Sequence, residues 1–360
     1  MSDSLRDVRQ REFANVWLDS EGGILLLAPR FGKCRVAIYA LQTYDSSPSI
    51  LIAYPDSTIL KSWKNEFEIM EYDDSNVTYT THLSLHKHQE MKYDVVILDE
   101  IHLLSENQLL AAYELLKINH CVMGLTGTLT NENKHIIRKT LGLRVIAEYP
   151  IQKAIEEKVI ADYEISVVQV PLDNRVMREF GRKICTEKTR FDNLSYVINE
   201  LQENGKDTKF LRLIRMRVFQ DSIAKRMKTK DLLFDYQKER VLVFCGIIKM
   251  ADSLGIPSYH SKSSEKNIFK DFVEGRIPQL AVVKIGNTGI TYVPLNRVII
   301  NYTDSNPQNL TQKLNRCMSM EYDNPDKKAL ITIVSTNEDV ELHWIKKGLA
   351  FFDKSKIKYL

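Results

Sequence analysis

Two carboxylates, Asp99 and Glu100, stand side by side near the end of the apolar run Tyr93 to Leu103, YDVVILDEIHL. Aliphatic and β-branched residues in so short a run predict a buried strand, which delivers both acids to its C-terminal edge. Such a pair has a use if a phosphate-binding loop lies on a neighbouring strand. Upstream, Gly23 to Arg35, GILLLAPRFGKCR, is an apolar strand running into Gly32 and Lys33, the pattern of a Walker A-like turn. In such a turn backbone N–H groups cradle phosphates, the lysine reaches the β and γ phosphates, and an acid of the later strand holds Mg²⁺. The chemistry is phosphoryl transfer, with Lys33 on the phosphates, Asp99 on the metal and Glu100 orienting the attacking water. An isolated Gly-Lys or Asp-Glu pair is commonly a solvated turn. Here both sit at the end of an expected strand and each precedes an expected helix, and this order and context favour the functional reading.

The elements that position these residues alternate. A helix over Leu5 to Leu18 is expected to turn Val8, Phe13, Val16, Trp17 and Leu18 inward, with Gln10 polar among them. A strand at Ile24 to Ala28 leads through the phosphate turn into a helix from about Lys33, with Val36, Ala37, Ala40 and Leu41 on one face. A second β-turn-α unit begins at Ile50, with Asp56, Ser57 or Thr58 as helix cap and Ile59, Trp63 and Phe67 at helical spacing. Further strands are expected near Val77 to Thr80 and Cys121 to Leu125, the last leading into Thr126, Gly127 and Thr128. Strands alternating with helices predict a parallel sheet covered on both faces. His82, His86 and His88 lack a carboxylate or cysteine at metal-ligand spacing, so no metal cluster is expected there.

From Tyr149 the pattern changes, and a boundary is expected at 152/153. The segment from about 174 to 235 reads as helical and strongly basic: residues 175–230 carry 15 Lys and Arg against 7 Asp and Glu. Arg212, Arg215 and Arg217 share a helix with Leu211, Ile214 and Val218, which suits either a solvated helix face or contact with a phosphate backbone. Strands then resume at 241–245, 280–283, 297–301 and 329–334, a second α/β sheet of similar size.

Composition bounds the class. A chain of 360 residues accommodates two domains, each with its own core. The start, MSDSLRDVRQ, is too polar for a signal peptide, and no apolar run approaches the ~20 residues of a membrane span. Five scattered cysteines without a CxxC pair fit a reducing cytoplasm (a host cytoplasm if the source is viral) and exclude a disulfide framework. The net charge of +3 is nearly balanced, so the clustering of basic residues says more about a partner than the total does.

With these motifs assembled, the chain resembles the superfamily 2 helicases and translocases along essentially its whole length. PRFGKC is similar to motif I, LIAYPDSTILKSWKNEF to motif Ia, LDEIH to motif II and LTGT to motif III. In the second half VLVFCG resembles motif IV, KIGNTGITYVPLNRVI motif V and QNLTQKLNRCMSM motif VI. Motifs Ia and V look most like the Snf2 branch of duplex-DNA translocases. AIEEKVIADYEI is similar instead to phage and bacterial repair helicases, and the two branches are not separated.

The resemblance implies an α/β fold of two tandem RecA-like domains, 1–152 and 153–360, with ATP between them and nucleic acid across the top. It assigns Gln10 to adenine, and Arg30, Gly32, Lys33 and Cys34 to the phosphate turn. Asp99 takes Mg²⁺, Glu100 the catalytic water, and Gln312 and Arg316 the γ-phosphate. Thr126, Gly127 and Thr128 couple the sites, while Ser57, Thr58, Thr288 and Gly289 contact the nucleic-acid backbone. The implied partner is DNA, duplex or branched, with RNA as an alternative, bound by a monomer.

Four positions depart from the family pattern. Cys34 replaces a Mg²⁺-ligating hydroxyl, Arg30 stands where glycine is common, Asn315 replaces a glycine, and Ser319 replaces the second arginine of motif VI. An arginine finger can supply a factor of ~10³ in rate. A hydrolysis-impaired nucleic-acid-binding scaffold is therefore the alternative to a motor. A small-molecule phosphotransferase would leave the second sheet unexplained.

Overall fold

The computed structural model describes residues 4–20, 22–44, 47–181, 183–263, 267–283, 295–320, 324 and 326–360. The chain divides into two compact units, with the break between Ile160 and Ala161.

The first unit begins with α1 (Leu5–Asp19), whose cap Ser4 accepts from the Asp7 N–H. It continues with β1 (Gly23–Leu27), α2 (Lys33–Leu41), β2 (Ile50–Tyr54), α3 (Ser57–Ile69), β3 (Val77–Thr81), β4 (Val95–Asp99), α4 (Glu106–Leu116), β5 (Val122–Thr126), α5 (Asn131–Leu141), β6 (Val145–Tyr149) and α6 (Ile151–Glu156). Among the described residues the six strands pair in parallel in the order β3-β2-β4-β5-β1-β6. Strands β2, β4 and β5 are buried along their whole length, as expected of a sheet covered on both faces.

Register decides where the chemistry lies. Leu26 of β1 pairs with Thr126 and Asp99 of β4 pairs with Leu125, so the carboxyl ends of β4, β5 and β1 finish side by side. The acids, the LTGT turn and the phosphate loop thus meet at one sheet edge.

The second unit contains β7 (Asp162–Val170), β8 (Arg178–Phe180), β9 (Lys183–Cys185), α7 (Glu187–Glu203), α8 (Lys209–Gln220), α9 (Ile223–Asp235), β10 (Val241–Cys245), α10 (Ile248–Asp252), β11 (Ser258–Tyr259), α11 (Ile268–Val273), β12 (Gln279–Val283), β13 (Arg297–Ile300), α12 (Pro307–Leu314), β14 (Lys328–Thr336), α13 (Asp339–Gly348) and β15 (Ile357–Tyr359). Its described strands form a parallel sheet in the order β11-β12-β10-β13-β14-β7-β15, and β8 and β9 make a separate antiparallel hairpin. The α/β class with two parallel sheets flanked by helices is the one the sequence pattern predicts.

Several local expectations are corrected. On α1 the buried residues are Gln10, Ala14 and Trp17, whereas Val8 and Val16 are exposed, because the polar Gln10 is drawn inward by a backbone carbonyl described below. Edge strand β6 carries no strong apolar signal, and its first three residues are only half-buried. The segment read as wholly helical and basic opens with the β8–β9 hairpin. Within that basic segment Lys225 is fully buried and pairs with Glu341 at 2.7 Å. The break at Ile160/Ala161 lies past the expected 152/153. Helix α6 and its exit belong to the first unit through Glu157, which binds the Arg9 guanidinium and accepts from the Tyr149 hydroxyl at 2.8 Å.

Candidate active site

The turn from β1 into α2 is held from below by α1. The Arg6 guanidinium donates to the Arg30 and Phe31 carbonyls, and Gln10 Nε2 donates to the Phe31 carbonyl at 2.6 Å. Gln10 is fully buried, and one of its two Nε2 hydrogens braces the turn, while its Oε1 has no hydrogen-bond partner among the described residues. Phe31 is likewise buried, packed edge-on against Phe13 at 5.7 Å and against Tyr149 at 4.8 Å. With Phe31 anchored, the backbone must reverse on either side of it: Arg30 has φ 65° and Gly32 φ 98°. Left-handed residues of this kind aim successive N–H groups into one concavity. Gly32 also caps α2 without a side chain, and a Cβ there would collide with Gln10 Nε2. The helix start is therefore left open for an anion.

Lys33 opens α2 and points at the acids. Its Nζ lies 3.1 Å from Glu100 Oε1, and the two charges dominate the electrostatics of the edge. Burial pulls the Lys33 ammonium toward deprotonation, but Glu100 and Asp99 overcome it and hold its pKa above the ordinary value. Burial likewise works against ionised Glu100, yet Lys33 and then His102 keep its carboxyl below the usual range. Asp99 behaves oppositely: burial, followed by the Glu100 charge, pushes it up to about 6, with Lys33 and Trp63 acting in the other direction.

The sequence reading did not single out two residues that complete this cluster. His102 Nδ1 lies 2.7 Å from Thr126 Oγ1 and 3.4 Å from Glu100 Oε2, linking the acid to the LTGT turn. Thr126 Oγ1 in turn donates to the Thr128 carbonyl at 2.8 Å, and the Gly127 N–H is bonded to Glu100. Trp63 on α3 donates from Nε1 to Asp99 Oδ2 at 3.0 Å. His102 was already present in LDEIH and Trp63 in WKNEF, but which atoms they touch depends on tertiary contacts.

Among the described residues no group of three or more His, Cys, Asp or Glu side chains could itself hold a metal ion. Mg²⁺ keeps much of its water and binds through one or two carboxylates plus substrate phosphates, and Asp99 could offer it a hard oxygen. Cys34 fits poorly: burial and then the neighbouring acids raise its thiol well above the ordinary range, so it stays a neutral, soft donor. His82, His86 and His88 are occupied elsewhere, by the Asp99 carbonyl, the Leu83 carbonyl and the Tyr93 hydroxyl respectively.

The remaining assigned residues are scattered. Ser57 and Thr58 open α3. Thr288 and Gly289 lie outside the described residues. On α8 Arg212 and Arg217 are exposed, whereas Arg215 is half-buried, with its guanidinium over Phe191 at 5.7 Å and donating to Ser195 Oγ at 3.2 Å. In the second unit Gln312 sits in α12, half-buried. Arg316 follows that helix and is buried, and the Ser319 carbonyl accepts from Lys327 Nζ at 2.9 Å.

Two parallel sheets flanked by helices, one after the other along the chain, make this the fold of tandem RecA-like domains. Comparison with solved structures agrees. The chain is similar to the helicase domain of Hef from Pyrococcus furiosus, with a TM-score of 0.53 over 94% of this chain and 98% of that one, at 13% identity. Residues 224–321 match the family model described as the helicase conserved C-terminal domain. No curated protein matches the chain. The structural likeness shows the fold, and the family model covers only that stretch of the chain. Among the described residues no helix is long and apolar enough to cross a membrane.

Proposed function

We propose that the chain is an ATP-dependent DNA helicase or translocase, hydrolysing ATP to move on or remodel duplex or branched DNA. The observation that carries this reading is the linkage of Lys33, Glu100 and Thr126 at one sheet edge. Three separate motifs there share one carboxylate. A γ-phosphate entering the open turn would compete with Glu100 for the Lys33 ammonium. Once released, Glu100 is free to orient the attacking water, and its altered position is felt at Thr126 through His102. Mg²⁺, when bound, neutralises charge on the β and γ oxygens. Asp99 would hold the ion, while Gln312 and Arg316 would act on the γ-phosphate. The start of α3, Thr288, Gly289 and α8 would contact the DNA backbone. We place the protein as a monomer in the cytoplasm, a setting that suits its five free cysteines.

The deciding experiment is the ATPase rate without nucleic acid and with single-stranded, duplex and forked DNA and with RNA. DNA stimulation is expected, largest with duplex or forked substrate. Lys33→Ala should abolish ATP binding, whereas Glu100→Gln should retain it and lose hydrolysis. Equal nucleotide affinity in Lys33→Ala and the native protein would overturn the assignment.

A second reading, a scaffold with little turnover, is favoured by Cys34 and Ser319. If it holds, Cys34→Thr and Ser319→Arg should raise a weak DNA-stimulated rate, the first by changing Mg²⁺ dependence and the second by adding charge at the γ-phosphate.

A further inference from the structure

Two buried tryptophans of the first unit satisfy their indole N–H groups differently. Trp17 donates to a backbone carbonyl, that of Val122, at 3.0 Å. Trp63, 0% exposed, donates to Oδ2 of Asp99 at 3.0 Å. The other oxygen, Oδ1, accepts the Glu100 N–H at 2.9 Å, and His82 Nε2 lies 2.9 Å from the Asp99 carbonyl. Each carboxylate oxygen thus has one protein donor and a lone pair left over, and the backbone beneath is pinned as well.

The indole cannot swing away cheaply. Its ring packs on Phe67 at 5.9 Å, and Phe67 packs in turn on Tyr72 at 5.4 Å and Tyr79 at 6.5 Å. Trp63 and Phe67 are one helical turn apart on α3, so these contacts tie that helix to the rim of the sheet. Along the axis Trp63 lies about 9 Å from Ser57, where the helix begins. A helix this well packed shifts as a body, so displacement of its first turn reaches the Asp99 carboxylate through one hydrogen bond.

We propose that Trp63 is a positioning residue that holds the Asp99 carboxylate in its metal-binding orientation and couples it to the DNA-contacting start of α3. This rests on the ATP–Mg²⁺ and DNA reading given above. Its basis is the side-chain donor that reaches Asp99 from α3.

The test is Trp63→Phe, which keeps a ring in the packing and removes the donor. ADP affinity is measured by calorimetry across a Mg²⁺ titration, with and without a saturating DNA duplex. Without Mg²⁺ the variant should bind ADP as the native protein does. The Mg²⁺ concentration giving half of the tightening should rise about 10-fold, the scale seen when the hydrogen-bond partner of a metal ligand is removed. The native protein should bind Mg-ADP with a different affinity when duplex is present, and the variant should lose that difference while still binding DNA. Phe67→Leu, which loosens the same packing and keeps the donor, should lower Tm without moving the Mg²⁺ midpoint. A readout without substitution at the site guards against misfolding: in a Trp17→Phe/Trp344→Phe background, Trp63 emission should respond to Mg-ADP and not to ADP alone.

An unmoved Mg²⁺ midpoint in Trp63→Phe, or an equal shift in Phe67→Leu, overturns the positioning role. A shifted midpoint with the DNA effect intact overturns the coupling. If the native protein shows no Mg²⁺-dependent tightening at all, it is the ATP–Mg²⁺ reading that fails, and this inference falls with it.

Discussion

Arg30 occupies a backbone conformation, φ 65°, that glycine adopts without strain and that costs other residues of order 1 kcal/mol. Relatives in the resemblance commonly have glycine there, and the geometry explains why. Arg30→Gly should therefore leave Tm unchanged or raised, and it should weaken nucleotide affinity if the guanidinium serves the phosphates. Calorimetry of folding and of ADP binding measures both.

Asp99 and Glu100 respond to pH with opposite signs. With Asp99 pushed up to about 6, its carboxyl is protonated below that value and competes with the metal. Mg²⁺-dependent ADP binding should fall as pH drops through about 6, well above the ordinary aspartate range. Because the folded value exceeds the unfolded one, ionising Asp99 opposes folding, and this opposition is relieved as pH falls through about 6. Glu100, held low chiefly by Lys33, instead contributes stability above its ordinary value that is lost on acidification. Glu100→Gln removes the second-largest force raising Asp99, so the acid midpoint of Mg-ADP binding should move below 6. A midpoint that stays in place would mean that burial alone sets it.

Helix α8 illustrates how an element sorts residues that a sequence presents as equals. Its three central arginines look alike at the level of composition, but Arg215 packs on Phe191 and bonds Ser195, while Arg212 and Arg217 face water. Reversing Arg212 and Arg217 together should weaken DNA binding and reduce the salt slope by about 2. Arg215→Ala should instead cost about 0.5–1 kcal/mol of stability through the lost cation–π contact, with the salt slope unchanged. Affinity titrations across salt concentrations, beside denaturation curves, separate the two effects. The same logic governs what was legible beforehand. Strands β1, β2, β4, β5, β10 and β12 to β14 are buried apolar runs, and their composition alone marks them. Edge strand β6, with half-buried residues and Glu148, and the three-residue strands β8 and β9 carry too little apolar signal. Asp99 and Thr126 end β4 and β5, Glu100 follows β4 and Lys33 opens α2, so their placement at one sheet edge was legible from the apolar runs. The Trp63–Asp99 bond joins residues 36 apart and exists only once α3 packs on the sheet.

At the scale of the molecule, each unit has its own parallel sheet and its own buried cluster, so the two need not unfold together. The second unit carries a polar network in its interior. Lys225 and Glu341 are both fully buried, and Glu341 also accepts from Thr303 Oγ1, the Thr336 N–H and Thr336 Oγ1. Lys225→Met strands the carboxylate, and removing one member of a buried pair costs about 3–5 kcal/mol even when other donors remain. Adding Glu341→Leu should recover only part of that loss, because the desolvated charge disappears but the Thr303 and Thr336 donors lose their acceptor. Hydrogen exchange measured in rising denaturant resolves the location. In Lys225→Met, amides of β10, β13 and β14 should lose protection early while those of β1, β4 and β5 keep native protection, and Mg-ADP should add protection to β1, β4 and β5 only. If both sheets lose protection together in Lys225→Met, the molecule unfolds as one cooperative unit and the independence of the two cores is wrong.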